Sequence, residues 1–298
     1  MNVAAVDLGT NTTRLLVAEV EDGSVRDLHR ETRITRLGEG VDARGRLLPL
    51  PIARVRNALS DYRRTAESLG SERVLLVATS AVRDAENGEA FLGEIEWSYG
   101  FTTHLLSGDE EADLMRRGLG PTAPGTLIVD VGGGSTELVL DGFRTSLSMG
   151  SVRFTERYGE DIDASSDATR ALLPELEPTA AVGVAGTITT LAALDLGLEE
   201  YDRKRVHGRE LTLESARTQL ARLAALPLEE RRRVPALDPD RAPVIVAGGA
   251  ILVAILDAYH LAGIRASERG LLHGAVLAAA ELPEPEEGAA PPGAYTCC

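Results

Sequence analysis

Two stretches of this chain repeat one arrangement of carboxylate, glycine and hydroxyl. Val6-Asp-Leu-Gly-Thr-Asn-Thr-Thr-Arg-Leu-Leu-Val17 aligns without gaps on Val129-Asp-Val-Gly-Gly-Gly-Ser-Thr-Glu-Leu-Val-Leu140, and five of the twelve positions are identical. Each copy reads as an apolar strand ending in Asp, a turn of small residues and a second apolar strand, which is a β-hairpin with polar groups at its tip. Glycine at such a tip lets backbone N–H groups approach an anion unobstructed, and Thr or Ser hydroxyls add donors. The tips 10–12 and 132–135 have this form, and so does Gly183-Val-Ala-Gly-Thr-Ile-Thr-Thr190, which leads into a helix whose N-terminus favours negative charge. Three such loops point to phosphate as the guest. Asp7, Asp130 and Glu137 would repel an anion, so at a phosphate site they call for a hard cation such as Mg²⁺ or another divalent ion. The alternative for each Asp is a turn residue bonding its own backbone.

A further carboxylate lies in Ser107-Gly-Asp-Glu-Glu111. Ser107 and Glu110 have capping-box spacing, which makes Glu110 structural. Ala112, Met115 and Leu119 form an apolar helix face with Glu111 at its border, where a carboxylate can be oriented as a general base. The competing reading is an acidic first turn that simply suits the helix dipole. Arg83 follows the strand-like run 74–78, at the end where α/β proteins bind ligands, and could clamp a phosphate or stand as a surface charge. The basic clusters at 203–209 and 231–233 are flanked by acids and read as solvated faces.

The elements that must hold these groups alternate. Helical spacing is expected over 51–69, 89–99, 188–196, 212–226, 243–259 and 271–282, with strands over 74–78, 102–106, 180–184 and 264–266. That alternation indicates α/β layers. The duplicated hairpins indicate two related domains, at 1–121 and 122–283, followed by a Pro/Gly/Ala/Glu-rich tail at 284–298 that is expected to be disordered.

The 298 residues carry 31 basic and 46 acidic side chains, a net charge of −15. This excludes a broad basic face, and with it nonspecific nucleic-acid or membrane-surface binding. The longest uncharged run, 242–256, is too short to span a bilayer and reads as a buried helix. The N-terminus has no signal-peptide pattern, and the only cysteines are Cys297 and Cys298, which together suit a reducing cytoplasm.

Taken together, the two hairpin motifs, Ala78-Thr-Ser-Ala-Val-Arg-Asp-Ala85, Ser107–Glu111, 183–190, Arg205-Val-His-Gly208, Arg241-Ala-Pro-Val-Ile-Val-Ala-Gly248 and Ser267-Glu-Arg-Gly-Leu-Leu-His-Gly274 resemble the Ppx/GppA family of exopolyphosphatases and guanosine pentaphosphate phosphatases. The resemblance runs to about Leu282 and is closest to the short two-domain form, without the additional helical region of longer members. Thr10 and Thr12 stand where many members have Ser, which keeps the hydroxyls. The resemblance implies an α/β fold of two related actin-like, ribonuclease-H-like domains around a central cleft, as in the sugar-kinase and chaperone-ATPase superfamily. It further implies that Glu111 activates water and that Arg83 contacts phosphate. Asp130 and Glu137, with Asp7, would hold Mg²⁺. Thr10, Asn11, Thr12, Arg14, Gly132, Gly133, Gly134, Ser135, Gly186 and Thr187 would line the substrate.

The activity so implied is release of terminal orthophosphate from inorganic polyphosphate. Hydrolysis of guanosine pentaphosphate by the same chemistry is the nearest rival. A kinase of the same superfamily and a non-catalytic polyphosphate or nucleotide binder are further alternatives, and a homodimer is one candidate assembly.

Overall fold

A computed structural model describes residues 1–283. The expected disordered tail, with Cys297 and Cys298, lies outside the described residues. The described residues divide into two units, one of Met1–Gly118 with the segment that begins at Leu271 and ends at residue 283, the other Leu119–Gly270.

The first unit opens with a meander of β1 (Asn2–Leu8), β2 (Thr12–Glu21) and β3 (Ser24–Ile34). There follow α1 (Val41–Arg44), α2 (Pro49–Ser68), β4 (Arg73–Ala78), α3 (Ser80–Arg83), α4 (Gly88–Tyr99), β5 (Thr102–Leu105) and α5 (Gly108–Leu119). The sheet order is β3-β2-β1-β4-β5, with β2 antiparallel to its neighbours and β4 and β5 parallel to β1. Strand β1 is buried on both faces. Ala4, Val6 and Leu8 point into a core completed by Val55, Leu59, Tyr62 and Ala66 of α2, whose spacing places them on one stripe. Val3 and Ala5 point the other way.

The second unit repeats this plan. Its elements are β6 (Thr126–Val131), β7 (Thr136–Leu140), β8 (Phe143–Leu147), α6 (Ser151–Tyr158), α7 (Ile162–Leu172), β9 (Ala180–Val184), α8 (Ala185–Asp195), α9 (Arg203–Val206), β10 (Glu210–Thr212), α10 (Leu213–Ala224), α11 (Leu228–Arg231), α12 (Ile245–Ala258) and β11 (Gly263–Ala266). The sheet runs β10-β11-β9-β6-β7-β8, so β8-β7-β6-β9-β11 matches the first sheet strand for strand, with β10 added at the edge. Both units are therefore α/β and carry the ribonuclease-H-like order, as expected of duplicated domains. The uncharged run at 242–256 forms most of α12, buried from Ile245 to Leu256 in the core of this unit. No helix among the described residues is long and apolar enough to cross a membrane.

Two boundaries differ from the sequence reading. Helix α13 (Leu271–Glu281), expected at the end of the second domain, joins the first unit. Its residues Leu271, Leu272, Ala275, Val276 and Ala279 cover the sheet face made by Val3, Ala5, Leu16, Ala18, Leu75 and Val77, which otherwise would meet water. Helix α8 begins at Ala185 rather than Ile188, so Gly186 and Thr187 lie in its first turn instead of in a preceding loop.

Candidate active site

In the first unit, β5 delivers the chain to α5 through Leu106 and Ser107. Leu106 N–H donates to the Ala78 carbonyl at 2.9 Å, which fixes the start of the helix against the end of β4. The capping box forms as its spacing requires. Ser107 donates to Glu110 Oε2 from its amide at 2.8 Å and its hydroxyl at 2.7 Å, and Glu110 N–H donates back to Ser107 Oγ at 3.3 Å. The Ser107 amide and hydroxyl hold the Glu110 carboxyl below the usual carboxylate range. Glu110→Ala should lower stability by roughly 0.5–1 kcal/mol, a typical value for loss of a cap. Because the Glu110 pKa is depressed on folding, this contribution is present above the unfolded pKa and is lost as pH falls through the folded one. The difference in melting temperature between Glu110→Ala and the parent chain should therefore shrink in acid, and a constant difference would count against the capping role.

With Glu110 committed to the cap, Glu111 faces inward and is buried beside Ala112 and Met115. Arg83 ends the single turn α3 that follows β4. Its Nη1 donates to the Leu106 carbonyl at 2.7 Å and lies 3.4 Å from Glu111 Oε2. The two residues singled out for chemistry, 28 positions apart in sequence, thus meet at one strand end. The Leu106 carbonyl anchors the guanidinium, which stands at a longer distance from the Glu111 carboxylate.

The first hairpin closes through Gly9 N–H to the Thr12 carbonyl at 3.0 Å. Asp7 and Arg14 are register partners on β1 and β2, and Arg14 Nε donates to Asp7 Oδ2 at 2.6 Å, with a second guanidinium nitrogen also against Oδ2. Asp7 Oδ1 is buried with no hydrogen-bond partner among the described residues. The tip is held from behind. Thr10 and Ser80 share a hydrogen bond of 2.8 Å, and the Asn11 carbonyl accepts from the amides of Thr35 and Arg36 at 3.1 and 2.9 Å. Thr12 opens β2, while Asn11 Oδ1 is buried with no hydrogen-bond partner among the described residues.

The second hairpin repeats the closure, with Gly132 N–H to the Ser135 carbonyl at 3.0 Å, and sets Asp130 opposite Glu137. Both carboxylates are buried, and Ser146 Oγ donates to Glu137 Oε1 at 2.7 Å. The carbonyls of Gly132, Gly133 and Gly134 are drawn toward α6, where they accept from Ser151, Val152 and Arg153 at 2.7 to 3.2 Å. The amides of Gly133 and Gly134 take no acceptor among the described residues, an arrangement suited to an anion. This close approach needs Gly150, where a Cβ would lie 2.4 Å from the Gly133 carbonyl oxygen.

The third loop is placed differently from a bare phosphate cradle. The guanidinium of Arg241 sits on Gly186, so that a Cβ there would lie 1.5 Å from Nη1. Thr187 Oγ1 donates to the Val131 carbonyl at 3.3 Å and so braces the second hairpin. In the sequence, Arg241 is marked only as an Arg ahead of Ala-Pro, with no chemical pattern around it. The basic clusters are mostly exposed, as expected of solvated faces, and several of their members form ion pairs. Arg203 pairs with Glu268 and Arg209 with Asp195, while Arg232 pairs with Glu229. Arg231 is fully buried, with Glu160 and the carbonyls of Leu223, Leu226 and Ala242 as acceptors.

Comparison with known proteins decides the kinship. The model of the Ppx/GppA phosphatase family matches residues 16–282. This chain belongs to that family. Within it, exopolyphosphatase 2 of Mycobacterium tuberculosis is 38% identical, over 93% of this chain and 98% of its own length. The guanosine-5'-triphosphate,3'-diphosphate pyrophosphatase of Vibrio vulnificus is 32% identical over 87% of this chain but only 56% of its own length. Among solved structures, the Aquifex aeolicus Ppx/GppA family member superposes with a TM-score of 0.76 at 30% identity, covering 93% of this chain and 97% of that one.

Proposed function

We propose that this chain is an exopolyphosphatase, which hydrolyses the terminal phosphoanhydride of inorganic polyphosphate and releases orthophosphate. The observation that carries the reading is the buried Glu111, freed from capping by Glu110 and set 3.4 Å from Arg83. In this reading Glu111 orients the attacking water and accepts its proton. Arg83 stabilises charge that develops on the phosphoryl oxygens. In the second unit, the amides of Gly133 and Gly134 offer fixed dipoles to an anion. Asp130 and Glu137 suit Mg²⁺. They are paired hard oxygen ligands, and that ion completes its shell with water and substrate phosphates rather than needing an all-protein cage. A divalent cation bound there would neutralise phosphate charge. The acidic composition fits recognition through a local site in the cytoplasm rather than a basic face.

The second reading, hydrolysis of guanosine pentaphosphate, is favoured by the relative in Vibrio vulnificus, but coverage of both full lengths favours the exopolyphosphatase. Orthophosphate release should be measured in Mg²⁺ on polyphosphates of several lengths and, in parallel, on guanosine pentaphosphate. The expected result is a kcat/KM on polyphosphate at least about tenfold higher, a difference of about 1.4 kcal/mol in transition-state stabilisation. Faster turnover of the nucleotide would reverse the assignment, and binding of polyphosphate without turnover would make the chain a binder.

A further inference from the structure

The duplicated hairpins differ at one chemically decisive position. Where β7 has Glu137 opposite Asp130, β2 has Arg14 opposite Asp7. Turn closure is the same in both, 3.0 Å from the first glycine amide to the carbonyl three residues on, so the two pairs occupy equivalent places in equivalent frames. Their formal charges do not match. Asp130 and Glu137 together carry two negative charges, which attract a divalent cation. Asp7 and Arg14 sum to zero, and a cation sharing Asp7 would sit against a guanidinium. The contact itself is strong in kind, with Arg14 Nε 2.6 Å from Asp7 Oδ2, Asp7 almost wholly buried and Arg14 only partly so. A buried carboxylate gripping a half-buried guanidinium fixes the direction of the guanidinium fork.

We propose that the two hairpins have divided their work: Asp7 is a positioning residue that aims the Arg14 guanidinium at the anionic substrate, and it ligates no cation. The proposal deepens the phosphohydrolase reading and rests on it for the identity of the anion. It departs from the expectation that all three tip carboxylates serve the metal. Oδ1 of Asp7, buried without a hydrogen-bond partner among the described residues, remains as the atom a cation could use, so cation affinity must be read directly.

The test uses the full chain and two readouts that do not depend on turnover. Mn²⁺ binding is followed by electron paramagnetic resonance, and polyphosphate binding by calorimetry at fixed Mg²⁺. Asp7→Asn and Arg14→Lys should each weaken polyphosphate binding by about tenfold, as expected for loss of one oriented charge-assisted contact. The double variant should be no weaker than the more affected single one, because both changes remove the same interaction. Mn²⁺ affinity should stay within about twofold of the parent in all three, a change too small to represent loss of a ligand. A tenfold or greater loss of Mn²⁺ affinity in Asp7→Asn, or polyphosphate losses that multiply in the double variant, would overturn the proposal. If Asp7→Asn fails to fold, Arg14→Lys decides alone: parental polyphosphate affinity in that variant shows that the oriented fork is not needed. A parent chain that binds polyphosphate but turns over no phosphoanhydride sinks the phosphohydrolase reading, while these binding measurements still judge Asp7.

Discussion

Glu111→Gln should reduce the rate of orthophosphate release from polyphosphate by about 10²- to 10⁴-fold, the usual cost of losing a general base, or about 2.7–5.5 kcal/mol in the barrier. Gln has nearly the same shape, and its amide oxygen can still face Arg83 Nη1, so the melting temperature should change little. KM should also change little, because the lost function acts on the water rather than on the bound chain. Glu110→Gln provides the internal control. It removes a carboxylate from the same helical turn, but one spent on Ser107, and kcat should remain close to parental. Steady-state kinetics on the parent chain and both variants would decide the matter. Equal losses at 110 and 111 would mean that negative charge at the start of α5, rather than one aimed carboxylate, is what matters, and parental activity in Glu111→Gln would remove the base assignment altogether.

What could be read ahead of the structure follows the range of the interactions involved. The capping box, the inward turn of Glu111 and the two hairpins are set by residues within a few positions of one another, and all of them form as their spacing implies. The repeat also carried the shared strand order of the two units, since a duplicated motif brings its frame with it. Edge strands were harder. Strand β3 carries Arg26, Asp27, Arg30, Glu31 and Arg33, and such charged edges protect a sheet without showing apolar alternation. The partner of the Thr187 hydroxyl, the Val131 carbonyl, is 56 positions away, and the neighbours of Thr187 in sequence do not reveal it. The seat of Arg241 on Gly186 is equally non-local. Arg231, read as part of a solvated run, is fully buried, because Glu160, 71 positions away, and the carbonyls of Leu223, Leu226 and Ala242 accept from it. Glu160 is correspondingly held below the usual carboxylate range by the Arg231 guanidinium.

Helix α13 shows the same limit with a functional consequence. It arrives from the far end of the chain to cover the first sheet, and it also abuts the helix that bears Glu111. At Gly274 an added Cβ would lie 1.9 Å from the Leu114 carbonyl oxygen and 2.7 Å from its carbon, so α13 and α5 meet backbone against side-chain-free backbone. Arg117 of α5 reaches Glu281 of α13 with a second anchor at 2.9 Å, seven residues on from Gly274 at the end of α13. Two opposed effects then set the outcome of Gly274→Ala. Helix propensity alone would stabilise α13 by about 0.5–1 kcal/mol. Overpacking against a neighbour costs about 1–3 kcal/mol, and here the atoms met are backbone, so no side chain can swing aside to relieve it. The overlap should win, lowering the melting temperature by about 2–10 °C for a chain of this size. Relief requires α5 to move away, and Glu111 is one turn from Leu114. A displacement of about 1 Å at a catalytic group can cost about 10²-fold, so kcat should fall by about 10- to 100-fold with a smaller change in KM. Calorimetric melting and steady-state kinetics on the same preparation test both halves. A stabilised variant would show that the helices do not touch at Gly274, and a destabilised one with parental kcat would show that α5 holds Glu111 in place without support from α13.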